Sequence, residues 1–174
     1  MEKNWLIGFI EGEGCFSFQI HKNTDNAKYR GIYIAPIFTI TLANAYSNYM
    51  CLKDIKRYLN YHNIEPRIYG RNEENKITSK NLALFIQKTK SIDLFIKLLE
   101  NVKWYTNKKK SYELFSSVVN MLKKYRKAKK VCYDQEFLNS FLKIRSEINK
   151  SMTGRKESDG YIKNTEYLFQ LVKK

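Results

Sequence analysis

The stretch Leu6-Ile7-Gly8-Phe9-Ile10-Glu11-Gly12-Glu13-Gly14 decides the fold, because the hydrophobic period changes inside it. From Asn4 to Gly12 the apolar residues Trp5, Leu6, Phe9 and Ile10 have helical spacing. From Gly14 onward the period is two: Phe16, Phe18 and Ile20 alternate with Ser17, Gln19 and His21, as in a strand with one buried face. Gly8 and Gly12 lie on one side of the helix, where each costs about 1 kcal/mol relative to alanine. The expected compensation is a second helix packed backbone to backbone, with Leu6, Gly8, Phe9 and Gly12 in the contact. A symmetric pairing of this kind gathers the acids Glu11 and Glu13 at the helix C-termini. The helix dipole disfavours carboxylates there, so a cation is expected to join them. Mg²⁺ suits the position, since it accepts one or two carboxylates together with waters and phosphate oxygens. The competing possibility is that both acids only solvate the helix end.

Outward from this stretch, a polar turn at Lys22 to Lys28 leads to a returning strand, Arg30 to Leu42. In it Phe38, Ile40 and Leu42 face one way, and Thr39 and Thr41 the other. Tyr46 to Tyr61 has helical spacing and is stopped by Asn63-Ile64-Glu65-Pro66. A second hairpin follows, with strands near Arg67 to Arg71 and Ile77 to Gln87 around a polar turn at Asn72 to Asn75, and then a helix from Ile92 to Leu99. The order α-β-β-α-β-β-α makes the fold class α+β. Further helices are expected at Lys109 to Lys124 and Asp134 to Asn149, separated by a basic link, and Ser151 to Gly160 is polar. Residues 1–150 are therefore expected to form a single domain that includes the C-terminal helices, with 151–174 a basic, partly flexible tail. The opening motif occurs once.

Charge narrows the function. The 32 lysines and arginines exceed the 17 acids and leave a net charge of +15, which favours a polyanionic partner, nucleic acid first. A membrane partner is not expected: the charge is spread along the chain rather than on one amphipathic helix, and no apolar run approaches the length of a span. The three cysteines, Cys15, Cys51 and Cys132, are far apart, without a C-x-x-C pair, and imply neither a disulfide framework nor a zinc cluster. His21 and His62 are the two histidines and lie far apart, which argues against a histidine-based nuclease site. Lys, Asn, Ile and Tyr, whose codons are AT-rich, are abundant; the expected location is a mitochondrion or chloroplast, or otherwise the cell interior.

The nine residues from Leu6 to Gly14 resemble the LAGLIDADG motif, with glutamate in place of both aspartates. Together with the α-β-β-α-β-β-α order, the resemblance extends over roughly two-thirds of the chain. It implies a single-motif homing endonuclease fold with a saddle-shaped antiparallel sheet. It also implies a homodimer that cuts both strands of a long pseudo-palindromic DNA site with Mg²⁺ or Mn²⁺. By the same resemblance Glu13 binds the catalytic metal with help from the backbone carbonyl of Gly12, and Glu11 supports. A lysine near the scissile phosphate matches Lys108, with Lys109 and Lys110 as neighbours. In one place the chain departs from the pattern. Some relatives carry a water-ordering glutamine near the end of the second strand, where this chain has Leu42. Either Asn44 serves instead or cleavage is weakened, and the alternative function is an intron maturase that binds intron RNA and assists splicing.

Strand alternation names the DNA-reading candidates: Ser17, Gln19, His21, Tyr33, Thr39 and Thr41, with Lys28 and Arg30 near the first turn, and Arg67, Tyr69 and Arg71 in the second hairpin. Lys76, Lys80 and Asn81 are further candidates. Arg, Gln and Asn can pair bidentately with base edges in the major groove, which admits a two-stranded ribbon. Ten strand residues at about 3.3 Å each reach about 33 Å, near one turn of duplex.

Overall fold

The structure is a computed structural model and describes residues 1–22, 32–72, 75–127 and 133–148. The change of period at Gly14 falls where helix becomes strand: α1 covers Lys3–Glu13 and β1 follows at once as Gly14–Lys22. Gly14 itself has no room for a side chain. A Cβ there would lie 2.6 Å from the Ile10 carbonyl oxygen and 2.9 Å from the Phe38 ring. The remaining elements are β2 (Ile32–Ala43), α2 (Tyr46–Tyr61), β3 (Arg67–Tyr69), β4 (Asn81–Ile86), α3 (Thr89–Leu99), α4 (Lys108–Lys127) and α5 (Gln135–Glu147). The α-β-β-α-β-β-α order of the sequence reading is thus present, followed by two helices. The strands form one sheet in the order β1-β2-β4-β3, in which β4 runs antiparallel to both neighbours.

The chain divides into two compact units, residues 1–17 with 36–109, and 18–35 with 110–174. In the first, Leu6, Ile7 and Ile10 of α1, Leu52, Ile55 and Leu59 of α2, and Leu82, Leu84 and Ile86 of β4 are all buried. Phe16, Phe38 and Phe95 cluster there with ring centroids 4.6 to 6.5 Å apart. In the second, Phe18 stacks on Phe115 at 5.2 Å and meets the edge of Phe141 at 5.4 Å. Asp134 caps α5 by accepting the Phe137 N–H at 2.9 Å. Its other oxygen accepts the Tyr125 hydroxyl; burial, then this bond, push that hydroxyl up to about 12.

Alternation in β1 is as read: Phe16, Phe18 and Ile20 are buried, whereas Gln19 and His21 are exposed and Ser17 half-buried. The second hairpin differs from expectation. β4 begins at Asn81, not near Ile77, and β3 ends at Tyr69. Gly70, at φ 104°, bends the chain where a Cβ would sit 2.3 Å from the Asn81 carbonyl oxygen. Beyond it only an isolated bridge joins Arg71 to Ile77, and Ile77 is 63% exposed. The Gly70 and Ser79 carbonyls both accept from the Asn44 side chain, at 2.8 and 2.7 Å, so side-chain bonds stand where a longer ladder was expected.

Candidate functional site

α1 has two unlike sides. Leu6, Ile7 and Ile10 face the core, while Trp5 is 48% exposed and stacks on half-buried Phe9 at a centroid distance of 5.1 Å. Gly8 and Gly12 are exposed, and a Cβ at either would meet nothing within 4 Å. Among the described residues, therefore, no close contact offsets the cost of the two glycines. Of the four residues expected at a helix–helix contact, Gly8, Phe9 and Gly12 lie on the outer side. Leu6, 1% exposed, does not: one residue is a turn of about 100°, and it carries Leu6 inward while Trp5 stays outside. Trp5 takes its place on the outer side.

The two acids at the end of α1 have separate fates. Glu11 Oε1 accepts the backbone N–H groups of Tyr105 and Thr106, each at 2.7 Å. It thereby fixes the approach to α4, where Thr106 Oγ1 in turn accepts the Lys108 N–H at 3.2 Å. Glu13, the last residue of α1, is exposed. Gly12 carries one of the final helix carbonyls, which find no N–H within the helix. Lys108 is 9% exposed and its Nζ donates to the Gly14 carbonyl oxygen at 2.6 Å, which brings a cation to the residue after Glu13. Lys109 is exposed, and Lys110 pairs with Glu147 at 3.5 Å. Among the described residues no three of His, Cys, Asp or Glu come together as a metal cluster. One exposed carboxylate and one carbonyl suit a hard cation that keeps waters and phosphate oxygens, not a protein-caged zinc.

On the side of the sheet opposite the buried leucines, strand register aligns three rows in the first unit. Thr39, Phe85 and Arg67 form one, Thr41, Ala83 and Tyr69 the next, and Ala43 with Asn81 the last. Ser17 lies in the same unit and its hydroxyl reaches the Ile37 carbonyl at 3.5 Å. Sequence reasoning missed Ala83 and Phe85, although the alternation Leu82, Leu84, Ile86 would have named them. Phe85 meets the Tyr69 ring edge-on at 5.1 Å. In the second unit His21 and Tyr33 have ring centroids 6.2 Å apart. Lys28 and Arg30 lie outside the described residues, as does the 151–174 tail. Lys76 and Lys80 are exposed but outside the strands.

Arg71 is a different matter. Its Nε donates to Asn44 Oδ1 at 2.8 Å, one terminal nitrogen reaches Asn75, and the guanidinium lies 5.3 Å from the Tyr49 ring centroid. Expected as a base reader, it is half-buried, and part of its fork is used within the fold. Asn44 is likewise committed: both amide hydrogens and one carbonyl lone pair serve the latch between β2 and the β3–β4 connection. Leu42, half-buried, faces Leu82 across the ladder.

The four-stranded sheet, and a glycine-striped first helix that ends in an exposed acid, agree with the α+β fold expected from the sequence. The chain belongs to the LAGLIDADG endonuclease family, whose model matches residues 6–119. Among solved structures it is similar to the homing endonuclease I-TnaI, at a TM-score of 0.73 and 18% identity, over 99% of this chain and 98% of that one. It is similar also to the archaeal intron-encoded homing endonuclease I-Vdi141I, complexed with DNA, at 0.66 and 21%, over 97% and 96%. A third, I-GzeII in complex with its DNA target, gives 0.66 and 23%, over 86% of this chain but 45% of that one. At these identities what is shared is the fold. No curated protein matches the chain.

Proposed function

We propose that this chain is a site-specific, divalent-metal-dependent endonuclease that acts as a homodimer on a long pseudo-palindromic duplex. The observation that carries this is the outer side of α1, where a Cβ at Gly8 or Gly12 would meet nothing within 4 Å among the described residues, and which leads to exposed Glu13. A second copy of α1 fits that stripe, and twofold pairing would bring two Glu13 carboxylates together, one for each DNA strand. Glu13 and the Gly12 carbonyl would hold Mg²⁺ or Mn²⁺. A bound cation there supplies charge stabilisation for the phosphodiester and lowers the pKa of a coordinated water. The chain's own contributions are distinct. Glu11 fixes the 105–106 backbone, Lys108 places positive charge beside the acidic end, and Ser17, Thr39, Thr41, Arg67 and Tyr69 of the first unit would face the duplex. I-Vdi141I and I-GzeII, seen with DNA, lend support to duplex DNA as the substrate.

The test is cleavage of a library of long duplex sites in Mg²⁺. Wild type should cut, and Glu13→Gln should lose about 10²- to 10³-fold or more in rate while still binding DNA, as removal of a transition-state charge stabiliser does. An inactive wild type, or an equally active variant, sinks the proposal. One observation favours the intron maturase as a second reading. Leu42 stands where a water-ordering amide would be, and Asn44, the amide expected to replace it, is spent on the scaffold. Host-intron splicing that is unaffected by deleting the protein would count against it.

A further inference from the structure

Between α2 and β3, the edge strand of the sheet, runs a groove of about 560 Å³. Lys53, Lys56 and Arg57 line it from the helix, and Arg67 and Arg71 from the strand side; among the described residues no acid lines it. The helix residues recur at helical spacing from Tyr49 and so form one face of α2, beside the face that buries Leu52, Ile55 and Leu59. Five cations around one groove repel each other. Arg57 is partly compensated by Asp54 at 3.1 Å, a pair with both partners exposed and therefore weak. Lys53 and Arg71 approach the same Tyr49 ring, at 5.5 and 5.3 Å from its centroid, so one ring serves two cations. Glu65, beside Arg67, is already bonded to Lys88, whose hydrogen bond and charge hold its carboxyl below the usual range. The groove therefore calls for an anion from outside.

Arg67 and Tyr69 belong both to this groove and to the sheet face opposite Phe85 and Ala83, so the groove continues that face past its edge. We infer that it is a phosphate track, holding the backbone of the duplex where it runs beyond the sheet. The inference rests on the duplex reading of the sheet face proposed above. From Tyr49 to Asn60 the helix rises about 16 Å, and a duplex presents a phosphate on each strand every 3.4 Å or so along its axis. Several phosphates therefore fit. Charges on the helix side of the groove, off the sheet face, position a backbone without reading bases, so Lys53, Lys56 and Arg57 set affinity and footprint, not sequence preference.

The experiment measures binding of a long random-sequence DNA duplex and of single-stranded poly(U) RNA across a KCl series, in EDTA so that nothing is cut. The variant Lys53→Gln/Lys56→Gln/Arg57→Gln should reduce the slope of log affinity against log salt on duplex by about 2 to 3, each lost phosphate contact removing about 0.9. A charge-matched control, Lys90→Gln/Lys97→Gln/Lys103→Gln, should leave the slope unchanged. If thermal melting shows that the triple variant does not fold, Lys53→Gln/Arg57→Gln, both exposed, is used instead and should reduce the slope by about 2. An unchanged duplex slope overturns the inference, as does a loss confined to poly(U), which would assign the groove to RNA. A wild type that binds no duplex at all overturns the underlying reading of the sheet face as well.

Discussion

The inner and outer sides of α1 share one backbone and differ in what they are for. On the inner side Leu6, Ile7 and Ile10 are at most 4% exposed and Glu11 holds two backbone N–H groups from the segment before α4. On the outer side, Trp5, Gly8, Phe9, Gly12 and Glu13 include two glycines at which a Cβ would meet nothing within 4 Å among the described residues, and an exposed acid. The inner residues account for the chain's own fold; the outer ones require something else to account for them. The two glutamates sharpen the contrast, since residues of one type, two apart, differ: Glu11 holds two backbone N–H groups, whereas Glu13 is exposed and is the one proposed to hold the metal.

Substitution on each side tests the division. Glu13→Gln should have the largest effect, the rate loss stated above with an unchanged melting temperature; a drop in melting temperature of the same protein would move Glu13 to the structural side. Ile10→Ala should destabilise by about 2 to 5 kcal/mol in urea titrations, because it removes a fully buried side chain. Glu11→Ala should cost about 1 to 2 kcal/mol, since it strands two N–H groups that water reaches in part. Its signature is faster hydrogen exchange at residues 105 and 106. Gly8→Ala should act oppositely on the two states. The isolated chain gains about 1 kcal/mol at most from helix propensity, whereas sedimentation should show weaker self-association. A variant that self-associates as strongly as wild type would break the contrast.

Much of this was legible in the sequence because it is local. The period change at Gly14, the buried parity of Phe16, Phe18 and Ile20, and the ends of α2 follow from spacing and from the stop at Asn63 to Pro66. Leu6 was misplaced because a nine-residue run with five apolar residues does not fix which side is inward. The fate of Glu11 was not legible, because its partners lie 94 and 95 residues away. The same applies to Arg71 and Asn44. Arg71 was expected to read bases and Asn44 to stand in for a water-ordering glutamine, and only their long-range bonds show them holding the second hairpin together. The late start of β4 follows from that latch too, and no local pattern announces it.

The latch also bears on any attempt to change what this chain recognises. If positions 67, 69 and 71 were randomised together and variants selected on a new target, Arg67 and Tyr69 would vary with the target. Arginine at 71 would be recovered whatever the target, because losing it strands Asn44. Agreement among the winners at that position would record the demands of the scaffold, and a specificity code inferred from it would be false.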